Sequence, residues 1–254
     1  MTTHALDAPP AHVAQQSSLS SGALSALMSH EILAIRIPGF LSKSELQGVR
    51  QGIQDVGLEY YTGDTKASTQ ERKGKIGPNL YRFKDDIHAY FERTRVFEQQ
   101  DRPQLFAKVD VLGRFVEALR QAYAPWGTVE RARSVAGPLS SCTVRDLPNA
   151  PPHRDWIRAE LPAFDAFSRL TDQFAWNVYV SVGARGGETL IYDTCEVEDA
   201  LNRPPSLELP PKPGDLLLFR TRHVHAVRAT TGGDRWTVSG FWGPTSDGRM
   251  LYWV

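Results

Sequence analysis

Hydrophobic positions fall into two textures along the chain. In the first half they recur at helical spacing. Val109, Leu112, Phe115, Val116 and Leu119 follow a 3.6-residue period, which predicts an amphipathic helix from Val109 to Tyr123. Asp85 to Phe97 reads as a second helix. A third is predicted from Ser42 to about Gly57, because Ser42 can cap the first turn and Glu45 completes a capping box. Ahead of it, Ile32 to Phe40 reads as a short strand running into a turn. After about Arg131 the period shortens to two. From Trp176 onward the chain alternates, with Asn177, Tyr179 and Ser181 on one face and apolar residues on the other. Three turn signals, Gly186-Gly187-Glu188, Pro213-Gly214-Asp215 and Gly232-Gly233-Asp234, each precede a short strand. Helices followed by many short strands predict an α+β, mainly β fold. We expect a double-sheet jelly roll with the helices of the N-terminal half packed on it.

Some segments carry no such period. Residues 1–22 are rich in Ala, Ser, Thr, Pro and Gln and are expected to form a flexible tail. Residues 23–254 then form a single domain, with helical support over 42–130 and a jelly-roll core over about 131–254. Residues 61–79 are polar and contain Gly63, Gly74, Gly77 and Pro78. A loop of that length is a lid candidate, as is the segment from Trp156 to Gln173. No internal repeat is visible.

Charge narrows the function classes. Lys and Arg number 29 and Asp and Glu 29, for a formal net charge of +0. Nucleic acid is therefore not expected as a partner, since phosphate binding needs a basic surplus. No apolar run approaches the roughly 20 residues of a membrane span. The first residues lack the basic start and apolar core of a secretory signal. The two cysteines, Cys142 and Cys195, form no CxxC pattern and read as thiols of a reducing compartment. A cytoplasmic protein acting on a small molecule is the expectation.

The chemistry lies in two runs. Pro151-Pro152-His153-Arg154-Asp155-Trp156 places His and Asp two residues apart. The prolines favour extended backbone, in which residues i and i+2 point to one side. A distant third histidine would complete a two-histidine, one-carboxylate set suited to non-haem Fe(II). His223 and His225 are the candidates. The context of a turn, an apolar strand and His225-Ala226-Val227 favours His225. Ten residues on, Arg235, Thr237 and Ser239 share one strand face. A guanidinium turned into a barrel needs an anion, and a dicarboxylate co-substrate would supply one.

Together these residues resemble the Fe(II)/2-oxoglutarate-dependent oxygenases over about residues 135–254. The elements that carry the resemblance are His153-x-Asp155, Gly186-Gly187-Glu188, Pro213-Gly214-Asp215, His225-x-Val227 and Arg235-x-Thr237. In layout the chain is similar to bacterial stand-alone amino-acid and alkaloid hydroxylases and halogenases. The resemblance implies a double-stranded β-helix that uses Fe(II), 2-oxoglutarate and O2. It implies that His153, Asp155 and His225 bind and use the metal, and that Arg235 and Thr237, with Asn177 and Tyr179 beside them, hold the co-substrate. Arg145, Trp156, Arg158 and Trp242 are the expected substrate contacts. The halogenases of this type carry Gly or Ala where this chain has Asp155, so hydroxylation of a small polar, amino-acid-derived metabolite is expected. The alternatives are a halogenase or desaturase on the same scaffold, and a non-catalytic cupin-like metal-binding protein.

Overall fold

The structure, a computed structural model, describes residues 13–60 and 73–254. Strands β1 (Val13–Gln15) and β2 (Ala34–Ile37) flank helix α1 (Ser21–Met28). Helix α2 (Lys43–Val56) precedes β3 (Glu59–Tyr60) and β4 (Gly74–Ile76). Helices α3 (Ile87–Val96), α4 (Arg102–Leu105) and α5 (Val111–Tyr123) complete the helical half. Then come β5 (Thr128–Arg131), β6 (Arg133–Ser134), β7 (Gly137–Pro138), β8 (Thr143–Asp146), β9 (Ala150–His153) and the short helix α6 (Ile157–Glu160). The chain continues through β10 (Phe174–Tyr179), β11 (Thr189–Ile191), α7 (Val197–Leu201) and β12 (Leu207–Leu209). It ends with β13 (Leu216–Arg220), β14 (His225–Val227), β15 (Trp236–Pro244) and β16 (Arg249–Trp253).

Among the described residues these strands make two principal sheets. The larger runs β1-β2-β13-β10-β15-β8-β4-β3, with β16 on β15 and β5 on β16. The smaller runs β12-β11-β14-β9. Alternation along β10 explains how they face each other. Trp176 and Val178 turn into a core shared with Leu24 and Leu27 of α1, Val49 and Ile53 of α2, and Phe115 and Leu119 of α5. Phe115 lies stacked on Trp176 with ring centroids 4.4 Å apart, a contact worth about 0.5–1.5 kcal/mol beyond area burial. Ala175 and Tyr179 turn the other way, where they pack with Ile191 and Leu209 of the small sheet. The helices thus cover one face of the large sheet, and the small sheet covers the other.

The caps fall where local chemistry places them. Ser42 accepts from the Glu45 backbone N–H, and the Glu45 carboxylate accepts from that of Ser42, so the capping box is complete. Gly57 closes α2 at φ 83°, a conformation glycine adopts without steric cost. Helix α5 starts two residues later than the periodicity predicts, because Asp110 caps it through the Gly113 N–H.

Two expectations are corrected. Residues 13–22, read as tail, form β1 and open α1, which Ser20 caps. Their Ala/Ser-rich composition hides Leu19, which joins Ala23, Leu24 and Leu27 of α1 in the core; residues 1–12 lie outside the described residues. The segment from Trp156 to Gln173 is no lid, because Ile157, Phe167 and Leu170 are buried against Trp253. Of the other lid candidate, residues 61–72 lie outside the described residues, and Gly74–Ile76 pairs as β4 with β8. No described helix is long and apolar enough to cross a membrane.

Candidate active site

The small sheet brings the two histidines together by register. His225, first residue of β14, lies directly across from His153, last residue of β9, with ring centroids 4.3 Å apart. Asp155 lies just past β9 and donates its N–H to the Thr221 carbonyl at 2.8 Å. Its carboxylate comes 3.6 Å from Nε2 of His225. One ligand atom from each of His153, Asp155 and His225 lies within 4.8 Å of the others, the one such cluster among the described residues.

Protons are placed for metal binding. Nδ1 of His153 donates to the Pro151 carbonyl at 2.8 Å, and Nδ1 of His225 to the His223 carbonyl at 3.0 Å. Each bond fixes a tautomer that leaves Nε2 with a free lone pair. Burial, then the neighbouring His225, lowers the pKa of His153 and keeps the ring neutral. Its sheltered position pushes Asp155 up, but His225 and then His153 and Arg145 outweigh this and hold its carboxyl at about 2. Two imidazoles that offer Nε2 and one carboxylate are the donor set that a divalent metal requires, and their arrangement fits Fe(II).

His223 does not join them. Strand β13 ends at Arg220, so His223 lies in the turn before β14. Its Nε2 instead accepts from Arg220 at 3.2 Å, and burial with that charge lowers its pKa to about 4.

Beyond the triad lies an inner cavity lined by Arg235, Thr237, Asn177, Ser239 and Thr189 as well as by the three ligands. Arg235 is 4 % exposed. Its Nε donates to the Gly187 carbonyl at 3.0 Å, one Nη donates to Thr189 Oγ1 at 3.3 Å, and the guanidinium lies 5.3 Å from the centre of the Tyr179 ring. No carboxylate pairs with it among the described residues. Burial lowers its pKa, and Tyr179 and then the more distant Asp146 and Glu188 only partly oppose this. The Ser239 hydroxyl is also buried here without a partner. This end of the cavity therefore fits a carboxylate of 2-oxoglutarate. Tyr179 is not in the lining; its hydroxyl shares a 2.9 Å hydrogen bond with Thr189 and its ring backs Arg235.

An outer cavity of about 320 Å³ opens from the same metal site, within the range of small-molecule pockets. Arg145, Leu147, His153, Asp155 and Phe241 line both cavities. Trp156 lines the outer one, with Arg222 stacked 4.8 Å from its ring centre. Arg158 is outside its lining and donates to the Leu170 carbonyl at 2.8 Å. Trp242 is corrected as a substrate contact: it is fully buried on the helix side, stacked on Phe174 at 4.4 Å. The alternation of β15 that puts Arg235, Thr237 and Ser239 in the cavity also puts Phe241 there and Trp242 behind it. That same alternation could have found Phe241. Gln173, which also lines the outer cavity, carried no sequence signal.

Residues 12–254 match the family model described as carrier-protein-independent halogenase WelO5. No curated protein matches. Among solved structures, an N-substituted L-amino acid dioxygenase from Burkholderia ambifaria AMMD is similar at 18 % identity and TM-score 0.62, covering 91 % of each chain. A 2OG-Fe(II) oxygenase family oxidoreductase from Burkholderia pseudomallei is similar at 14 % identity and TM-score 0.51, covering 89 % of this chain and 92 % of that one. The α-ketoglutarate-dependent carbocyclase SnoK of nogalamycin biosynthesis is similar at 14 % and 0.53, covering 90 % and 87 %. At these identities the likeness is one of fold.

Proposed function

This chain belongs to the carrier-protein-independent halogenase family and is a 2-oxoglutarate-dependent non-haem iron enzyme, and from that premise we propose that it hydroxylates a small, amino-acid-derived metabolite. We read its two facing sheets as a double-stranded β-helix. His153 and His225 hold the metal through Nε2, and Asp155 supplies the anionic third ligand. Arg235 holds the far carboxylate of 2-oxoglutarate, with the Thr237 hydroxyl on the same strand face. Asn177 and Ser239 complete the polar lining, and Tyr179 steadies Arg235 from outside it.

Bound there, ferrous iron with 2-oxoglutarate and O2 supplies the oxidising power, with release of succinate and CO2. The protein's own part is orientation and exclusion. The backbone carbonyls of Pro151 and His223 keep the imidazole protons on Nδ1. Ala175, Phe219 and Phe241 wall the inner cavity and exclude water from the reacting carbon.

The observation that carries this reading is Arg235, a buried guanidinium without a carboxylate partner among the described residues, in the cavity that holds the triad. A simple metal-binding protein has no use for it. The test is an anaerobic titration of the Fe(II) protein with 2-oxoglutarate, followed through its visible charge-transfer band. Arg235→Ala should weaken that binding roughly thirtyfold or more while leaving Fe(II) binding intact. An unchanged titration sinks the reading. Halogenation is the second reading, favoured by the family match; Asp155 argues against it, since it fills the place that Gly or Ala leaves open in such halogenases.

A further inference from the structure

We propose, resting on the oxygenase reading, that Arg145 is the substrate anchor and that the substrate is a small carboxylic acid with an apolar, ring-bearing body. Arg145 lies on β8 opposite Thr237 of β15, on the cavity face of the large sheet. It lines both the inner and the outer cavity, so it stands at the seam between the metal site and the substrate space.

Arg145 is half-buried, and its guanidinium makes no ion pair or hydrogen bond among the described residues; it faces the Phe241 ring, 5.9 Å away, and its charge acts on Asp155 and His153. Three arginines nearby are engaged elsewhere, while Arg82 and Lys73 share the lining of the outer cavity. Arg154 donates to the Cys195 carbonyl at 2.9 Å and approaches Glu196 at 3.5 Å. Arg158 is held by Leu170, and Arg222 stacks on Trp156. Of the carboxylates around the outer cavity, Asp155 belongs to the triad, Asp146 accepts from the Arg235 backbone N–H at 3.3 Å, and Glu160 is exposed at α6. A planar guanidinium without a partner recognises a carboxylate by two parallel hydrogen bonds. The walls beside it, Phe241, Trp253, Ile157 and Leu80, offer apolar surface for the rest of the molecule.

The proposal is distinct from co-substrate binding, because Arg235 already serves the far carboxylate of 2-oxoglutarate at the other end of the inner cavity. The test uses the protein loaded with Zn(II) and 2-oxoglutarate and three probes of one shape: 3-phenylpropanoate, 3-phenylpropanamide and 3-phenylpropylamine. Calorimetry should show the acid binding about tenfold or more tighter than the amide. Arg145→Gln should bring the acid down to the level of the amide, and Arg145→Lys should recover part of the difference. Affinity for 2-oxoglutarate should stay within about twofold of the unaltered protein in both variants. Absence of acid-selective binding in the unaltered protein overturns the proposal, as does tighter binding of the amine. Loss of 2-oxoglutarate binding in Arg145→Gln also overturns it, and moves Arg145 into the co-substrate site. Failure of the unaltered protein to bind 2-oxoglutarate defeats the oxygenase reading instead, and calorimetry separates the two because co-substrate and probe are titrated independently.

Discussion

Asp155 and Thr221 are joined by two hydrogen bonds that run in opposite directions. The Asp155 N–H donates to the Thr221 carbonyl at 2.8 Å, and the Asp155 carbonyl accepts the Thr221 hydroxyl at 3.0 Å. Thr221 is fully buried, and its own N–H is held by the Gln173 carbonyl at 3.0 Å. Asp155 lies outside β9, so no strand ladder fixes it; this clamp does. Thr221→Val keeps the shape and removes the hydroxyl. Partners one step out from metal ligands typically contribute roughly 10–100-fold in affinity. The expected result is an increase of about tenfold or more in the Kd for Co(II), read from its visible absorption, with near-ultraviolet circular dichroism unchanged. An unaltered Kd would mean that the N–H bond alone aims the carboxylate.

Gly187 meets Arg235 in two ways. Its carbonyl accepts from Arg235 Nε at 3.0 Å, and a Cβ built on it would lie 3.3 Å from Arg235 Cδ and 2.9 Å from Thr230 Oγ1. Its φ is +79°, which side chains rarely adopt. Gly187→Ala should cost on the order of 1–3 kcal/mol in stability from the backbone alone. The crowding should also displace the guanidinium. A lower Tm together with weaker 2-oxoglutarate binding and intact metal binding is the expected pattern. A lower Tm with unchanged co-substrate binding would confine this glycine's role to the turn.

These two relationships mark the limit of what the sequence discloses. His153 and His225 were legible because proline-led extension and turn-strand-His patterns are local. Arg235, Thr237 and Ser239 were legible because strand alternation needs no partner. The capping box of α2 is contained within Ser42 to Glu45. Thr221 was invisible because its role depends on where β13 ends, which tertiary packing decides. Arg220 and His223 illustrate the same point: their hydrogen bond forms in the turn after β13, where period-two counting stops. Trp242 lies on the helix side, the face that the parity of Thr237, Ser239 and Phe241 assigns to it. Composition hides residues 13–22, since Val13, Ala14 and Leu19 suffice to seat them on an existing core.

Glu45 gives a pH dependence remote from the metal. The Arg114 guanidinium first, and then the Ser42 backbone N–H and hydroxyl, lower its pKa from 4.5 to about 2. A carboxyl depressed on folding contributes stability that is fully present above the unfolded value and is lost as pH falls through the folded one. Its window therefore runs from about 4.5 down to about 2. Glu45→Gln keeps a capping-box partner and removes the charge. At pH 7 it should cost roughly 1 kcal/mol, as a partly exposed ion pair does. The gap between the two proteins in urea unfolding should narrow as the pH is lowered below about 4.5. A gap that stayed constant down to pH ~3 would assign the loss to side-chain geometry rather than charge.

On the proposed function, Asp155 decides the class of product. With His153 and His225 it would give a metal three protein ligands, leaving room for co-substrate and O2 but no place made for chloride. The unmodified enzyme, supplied in chloride buffer with a substrate found by its succinate release, should give a hydroxylated product, or an unsaturated one where the reacting carbon is badly placed for oxygen transfer. Asp155→Gly would open that position and remove a negative charge beside it, so halide entry becomes easier. The cavity walls are unchanged, however, and Phe241 and Arg145 still line both cavities. Loss of most hydroxylation with weak chlorination at best is the expected outcome. Product mass spectrometry on both proteins reads it directly. A chlorinated main product from the unmodified enzyme would show that a carboxylate ligand does not exclude halide here, and would place this chain's activity with the halogenases of its family.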